Sequence, residues 1–427
     1  MVQPPVIVVP GITATTLEDY YPVEPETLWS AVLHKDYPRL ALHPANLRYE
    51  AVEPARVRPR NLYNIAYGDL VGALRHDLTK KADKPTPVFG FGYDWRQDCN
   101  LTAQGLAVFV DEVLERTRLI PHYQKDPPTA VDLVGHSMGG LIIARYLRNQ
   151  QDAMLKPKVR RVVTIGTPFH GSVDSIMKLT IGMGALTGAS PQDREREMAR
   201  TIPALYQLLP SYAGAIEVDP SVPKGISDIF KSNAWQPSVT ATLREFVRLW
   251  STQMDADNLL QDLLDDARGF IDSVNGLDLA KVLPDGGESW LPIVGIGEET
   301  HLKARLVLWK GQVWFDKFPD AETQHDADGH PTEWTGDGTV PFLGACADFL
   351  RREQLVCVTK SDLSFWEIRD RLFVDMAGLH GFLPRVNHVQ KLTIRFLRED
   401  FDGNQYQAWR APGLAGKPDW RPWLKSR

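Results

Sequence analysis

The sequence predicts an α/β fold: a mostly parallel sheet flanked by helices, with an inserted all-helical cap. Three observations carry this reading. Short β-rich runs alternate with helical patterns through the first half, as expected of parallel strands joined by crossover helices. The pattern turns purely helical at residue 172, and strand character returns after residue 287. A glycine-flanked serine stands where one strand gives way to a helix.

Taken in order, the first strand is Val6–Val9, followed by strands at Pro87–Phe91, Ala130–Val134 and Val159–Ile165. Between them, Gly68–Leu78 and Leu101–Leu119 carry apolar residues at helical spacing, with Leu106, Val110, Val113 and Leu114 on one face. Gly139–Arg148 is the helix that follows the third strand. Within the insertion, Arg194–Leu209, Val239–Trp250 and Asn258–Val274 read as helices, the last with Leu260, Leu263, Leu264, Ala267 and Ile271 aligned. Strands return at Leu291–Gly295, Arg305–Phe315 and Gln354–Thr359, and Arg385–Arg398 is the final helix. The predicted division is a core of 1–171 and 288–401, a helical cap or lid of 172–287, and an extension, 402–427, packed loosely over the core.

Composition narrows the function. A net charge of -6 and 24% charged residues give no basic face for a phosphate backbone, so nucleic acid is not the expected partner. Cys99, Cys346 and Cys357 make no disulfide framework and suggest a reducing compartment, or at most one bridge. The opening Met-Val-Gln-Pro-Pro lacks the marks of a signal peptide, so the expected location is the cytoplasm, with leaderless export as the alternative. No apolar run is long enough to span a bilayer. Trp290, Trp334, Trp366, Trp420 and Trp423 lie in polar company and read as half-buried surface aromatics, a lipid-facing belt being the sharper alternative. The His325–His330 run alternates His and Asp without metal-ligand spacing and reads as a solvated turn. No cofactor or metal is expected.

The chemistry concentrates in Gly135-His136-Ser137-Met138-Gly139-Gly140. A nucleophilic serine must stand on a strained turn with its Oγ in a cleft, and side chains at positions 135 and 139 would collide there. Gly140 lets the helix pack closely, and the helix N-terminus points its free N–H groups at a developing oxyanion. His136 shares that turn and cannot reach Ser137 Oγ from across a cleft, so it reads as structural.

A second oxyanion donor is required from the loop after an early strand. In Val9-Pro10-Gly11-Ile12 the amide of Ile12 is the candidate, beside that of Met138; a plain turn after the first strand is the competing reading. The chain order of such sites is Ser, then acid, then His. Asp337 in Thr335-Gly336-Asp337-Gly338-Thr339 is the acid: an Asp-Gly turn alone would explain it, and its position ahead of a histidine favours catalysis. His380, on a loop before the last helix, is the base in preference to His388, which lies within the helical pattern.

At this point the sequence resembles a family. Val8–Ile12 through Thr16-Leu17-Glu18, Gly92-Tyr93-Asp94-Trp95-Arg96, Thr164–Ser172, Pro203–Pro210 and Gly336–Val340 are similar, in order, to segments of the lecithin:cholesterol acyltransferase-like lipases and phospholipases. The similarity runs from residue 5 to about 398. It implies an α/β-hydrolase with a lipid ester substrate, met at a membrane or micelle surface under a lid. It further implies Ser137, Asp337 and His380 as triad, with Ile12 and Met138 as oxyanion donors. The expected function is hydrolysis of lipid carboxylic esters through an acyl-serine intermediate, with acyl transfer to an alcohol acceptor and lipid binding on an inactive hydrolase fold as the alternatives. Eukaryotic members carry a signal or anchor and cysteine-closed loops; neither is expected for this sequence. Tyr93–Arg96 is expected to brace the sheet edge beside the oxyanion loop, and His170 to line the cleft entrance. The segment Ile176–Gly188 is apolar yet carries three glycines, each weakening a helix by roughly 1 kcal/mol relative to alanine, as a mobile lid or a loose connection would.

Overall fold

The computed structural model describes residues 2–21, 24–30, 35–51, 55–182, 193–250, 254–316, 336–363 and 378–400. Its core is a six-stranded parallel sheet. The strands are β1 (Val6–Val9), β2 (Val88–Gly90), β3 (Val131–His136), β4 (Val159–Ile165), β5 (Trp290–Gly295) and β6 (Val356–Val358), in the spatial order β6-β5-β4-β3-β1-β2. β1, β3 and most of β4 and β5 are buried on both faces, which is why they read as apolar runs instead of alternating ones. Helices α1 (Asn64–Asp77), α2 (Cys99–Arg118), α3 (Met138–Asp152) and, at the end, Asn387–Leu397 cover the sheet. This is the α/β-hydrolase fold.

The strand order decides where a site can form. β2 lies on one side of β1 and β3 on the other, so the winding reverses between β1 and β3, and ligands bind at the carboxyl ends of strands at such a reversal. Register then sets the neighbours: Val8 pairs with Val134 and Val9 with Gly135, so Pro10-Gly11 emerges beside His136-Ser137.

Several expectations are corrected. The 172–287 stretch is not wholly helical: Ile216–Val218 is a strand, paired in parallel with Ala304–Trp309. Three residues cannot display a period, and that strand takes its order from its partner. The Arg305–Phe315 run is a hairpin, Ala304–Trp309 and Gln312–Phe315, in that small sheet and not in the core. Lys310 and Gly311, both at positive φ, make the turn. The helix expected at Arg194–Leu209 is two, Asp193–Ala199 and Pro203–Tyr206, because Pro203 has no N–H and holds Ile202 extended. Trp290 is buried, not a surface aromatic; it begins β5 and its indole N–H donates to Thr164 Oγ1 at 3.0 Å. An antiparallel sheet of Thr15–Asp19, Glu26–Trp29 and Val57–Leu62, absent from the sequence reading, follows β1. Trp334, Trp366, Trp420, Trp423, the His325–His330 run, residues 183–188 and the tail from 401 lie outside the described residues.

Candidate active site

β3 ends at His136, α3 begins at Met138, and Ser137 alone makes the turn between them. Its backbone stands at φ 52°, ψ -128°, a region that costs a non-glycine residue about 1–3 kcal/mol. The surroundings enforce it: the Ser137 amide donates to Ile165 O at 2.9 Å, and Ser137 O accepts from the Gly140 amide at 3.0 Å. A Cβ on Gly139 would stand 2.2 Å from Val9 O, and one on Gly140 would stand 2.0 Å from Thr167 Oγ1. Both glycines are therefore fixed by the closeness of backbone and neighbour.

Residues far apart in sequence converge on Ser137. Its hydroxyl donates to His380 Nε2 at 2.9 Å, and His380 Nδ1 donates to Asp337 Oδ2 at 2.7 Å. Asp337 Oδ1 accepts the amides of Thr339, at 3.1 Å, and Val340, at 2.8 Å, so the carboxylate is held on both oxygens. The His380 amide donates to Asp337 O at 3.0 Å, which fixes the two loops to each other. All three residues are buried, Asp337 most of all at 1% exposed. His380 stands in a helical turn, 378–382, and not in the open loop the sequence suggested; His388 lies on the final helix. A serine, an imidazole and a carboxylate so linked can pass one proton to and from the serine oxygen.

Ile12 borders the same cavity as Ser137 and His380, and its amide makes no hydrogen bond among the described residues. Met138 is the first residue of α3, where helix amides have no partner within the helix. The cavity, about 190 Å³, has mostly apolar walls, with Ile12, Tyr63, Ile65, Leu205, Leu208 and Phe382 among them. Among the described residues no group of three or more His, Cys, Asp or Glu could hold a metal ion.

The loop after β1 is braced from behind. Tyr93 Oη donates to Pro10 O at 2.7 Å. Trp95 packs edge-on against Trp29 at 5.1 Å between centroids, and Trp29 Nε1 donates to Thr13 O at 2.7 Å. Arg96, fully buried, bonds Asp94 through two nitrogens, at 2.9 and 2.7 Å, Glu50 at 2.9 Å and Leu40 O at 3.2 Å. His170 does not border the cavity; it bridges Ser211 Oγ at 2.9 Å and Asp348 Oδ1 at 3.0 Å, joining a point within the insertion to the core.

Sequence reasoning missed Tyr67. It lies on α1, 1% exposed, with its hydroxyl 2.7 Å from His136 Nδ1. The available signal was its place on the inner face of an amphipathic helix, since a buried tyrosine hydroxyl needs a partner. Burial first, and the nearby His380 second, push the His136 pKa down to about 3. The unfolded chain therefore takes up a proton on this residue near pH 6.5 and the folded one only near pH 3, so folding stability falls as pH drops through that window. Urea unfolding measured from pH 7 to 4 should show this loss, and His136→Gln should make the dependence shallower; an unchanged slope would refute the assignment.

The fold and the placement of its serine define an α/β-hydrolase. Residues 79–285, just under half of the chain, match the lecithin:cholesterol acyltransferase family. Phospholipase A(1) LCAT3 of Arabidopsis thaliana is 32% identical over 89 residues, 21% of this chain and 18% of that protein. The chain thus matches less than a fifth of that relative's length. A chain in the crystal structure of the Tle4–Tli4 complex shares the fold with a TM-score of 0.58 at 14% identity, over 93% of this chain and 99% of that one. In these segments the chain is similar to the lecithin:cholesterol acyltransferase-like lipases and phospholipases.

Proposed function

We propose that the chain is a carboxylic ester hydrolase for lipid esters, of lipase or phospholipase A type, working through an acyl group on Ser137. The observation that carries this is the unbroken hydrogen-bonded chain from Asp337 through His380 to Ser137, opening onto an apolar cavity. Ser137 Oγ attacks the ester carbonyl carbon while His380 Nε2 takes its proton. The amides of Ile12 and Met138 receive the oxyanion, and Asp337 stabilises the imidazolium. His380 returns the proton to the departing alcohol. Water then attacks the acyl-serine, giving its proton to His380, and the fatty acid leaves as Ser137 recovers it.

The apolar walls suit an acyl chain, and Ile65 both borders the cavity and faces solvent at 41% exposed, as a substrate met at a lipid surface would favour. Among the described residues no helix is long and apolar enough to cross a membrane. The three free thiols favour the cytoplasm as the place of action; recovery from an extracellular fraction would overturn that.

Wild type and Ser137→Ala, incubated with mixed phospholipid and triacylglycerol vesicles, separate the readings by product mass. Free fatty acid from wild type alone is the expected result. New acyl esters on an added alcohol in its place would make the protein an acyltransferase. Untouched lipids with both proteins would remove the lipid reading.

A further inference from the structure

Behind the proposed triad runs a second hydrogen-bonded chain that the reaction steps above leave unused. The Gly11 amide donates to Tyr67 Oη at 2.9 Å, and Tyr67 Oη lies 2.7 Å from His136 Nδ1. His136 Nε2 in turn lies 3.0 Å from the carbonyl oxygen of His380. Chemistry fixes the directions. A carbonyl can only accept, so His136 carries its proton on Nε2, and Nδ1 is left to accept the tyrosine hydroxyl. The rings of His136 and His380 face each other at 5.1 Å between centroids. Tyr67 and His136 are both buried.

The ends of this chain are what matter. One end is the loop that carries the Ile12 amide; the other is the backbone of the proposed base. His380 is then held twice, by its amide on Asp337 O and by its carbonyl on His136. We propose that Tyr67 and His136 are positioning residues, a rigid two-link strut that holds the Gly11–Ile12 loop and the His380 backbone in fixed relation around Ser137. The inference rests on the reading of Ser137 as nucleophile. It assigns to the strut no contact with reacting atoms, only the geometry in which His380 meets Ser137 Oγ. A neutral His136 is part of it. Protonated at Nδ1, the ring would meet a hydroxyl already engaged by Gly11, and would set a second positive charge beside the imidazolium formed in the reaction.

Misplacement of a base by about 1 Å can lower turnover on the order of 10²-fold. Tyr67→Phe keeps the ring and removes only the hydroxyl, so kcat for a short soluble nitrophenyl ester should fall roughly 10- to 100-fold, with KM moved by less than about threefold. His136→Gln offers both a donor and an acceptor and should recover turnover to within about fivefold of wild type, while His136→Phe should fall as far as Tyr67→Phe.

The experiment measures kcat, KM and thermal unfolding for wild type and the three variants, with fluorophosphonate labelling of wild-type Ser137 alongside. A loss in kcat at near-normal KM and melting, rescued by glutamine, is the expected result. Tyr67→Phe within about twofold of wild type, a loss confined to KM, or glutamine no better than phenylalanine overturns the strut. So does a Tyr67→Phe protein that melts below the assay temperature, because the role would then be structural. If His136→Phe fails to fold, Tyr67→Phe decides alone. A wild type that neither labels nor turns over removes both this inference and the reading beneath it; an active, labelled wild type with unaffected variants removes the strut only.

Discussion

Ser137→Ala should lower turnover of a soluble ester by roughly 10⁴- to 10⁶-fold. The size follows from the proposed triad acting as one unit: without Oγ, the His380–Asp337 pair would have nothing to deprotonate, and only the proposed oxyanion amides and binding would remain. Asp337→Asn is the sharper probe of the arrangement. It preserves shape, but an amide cannot stabilise the imidazolium, and it favours the wrong imidazole tautomer, so a loss of roughly 10⁴-fold is expected. Ser137→Ala and the double variant with Asp337→Asn should then be equally poor, since the losses are not additive. Steady-state rates on all three proteins check this, and full-strength turnover by Asp337→Asn would overturn the acid's role.

Arg96→Met should destabilise the fold by about 3–5 kcal/mol, because it leaves two largely shielded carboxylates without their cationic partner. The side chains of Asp94 and Glu50 are 14% and 5% exposed, and Arg96 bonds both. The damage reaches the site through neighbours: Tyr93 holds Pro10 O and Trp95 supports Trp29 under Thr13. Neutralising the acids as well, in Arg96→Met with Asp94→Asn and Glu50→Gln, should restore part of the loss. Guanidinium unfolding measures both; a drop under about 1 kcal/mol for the single variant would mean the pair behaves as an exposed one.

The contrast between what the sequence revealed and what it hid is physical. Ser137 was legible because a strained turn leaves its requirement, glycines at 135 and 139, within a few residues. Asp337 and His380 were legible through chain order and the family resemblance, since nothing in an Asp-Gly step by itself distinguishes an active-site loop from a hairpin turn. Tyr67 and His136 are 69 positions apart and meet through one hydrogen bond between α1 and the last residue of β3. No spacing rule links such a pair. The break before Pro203 was written in the sequence but overridden there by apolar periodicity on either side. The Thr15–Leu62 sheet was hidden by its composition: segments such as Thr-Thr-Leu-Glu-Asp bury polar residues through ion pairs, Asp19 with Arg39 and Glu18 with Arg60, so hydrophobic alternation is absent.

The backbone angles at Ser137 belong to a region that glycine enters freely and serine does not. Any laboratory evolution that rewards heat resistance alone would therefore tend to collect glycine at this position, and the survivors would be durable and silent. Selection for a hardier version of this protein has to score product as well as melting, because the most relaxed turn is the one that has lost the serine proposed as nucleophile.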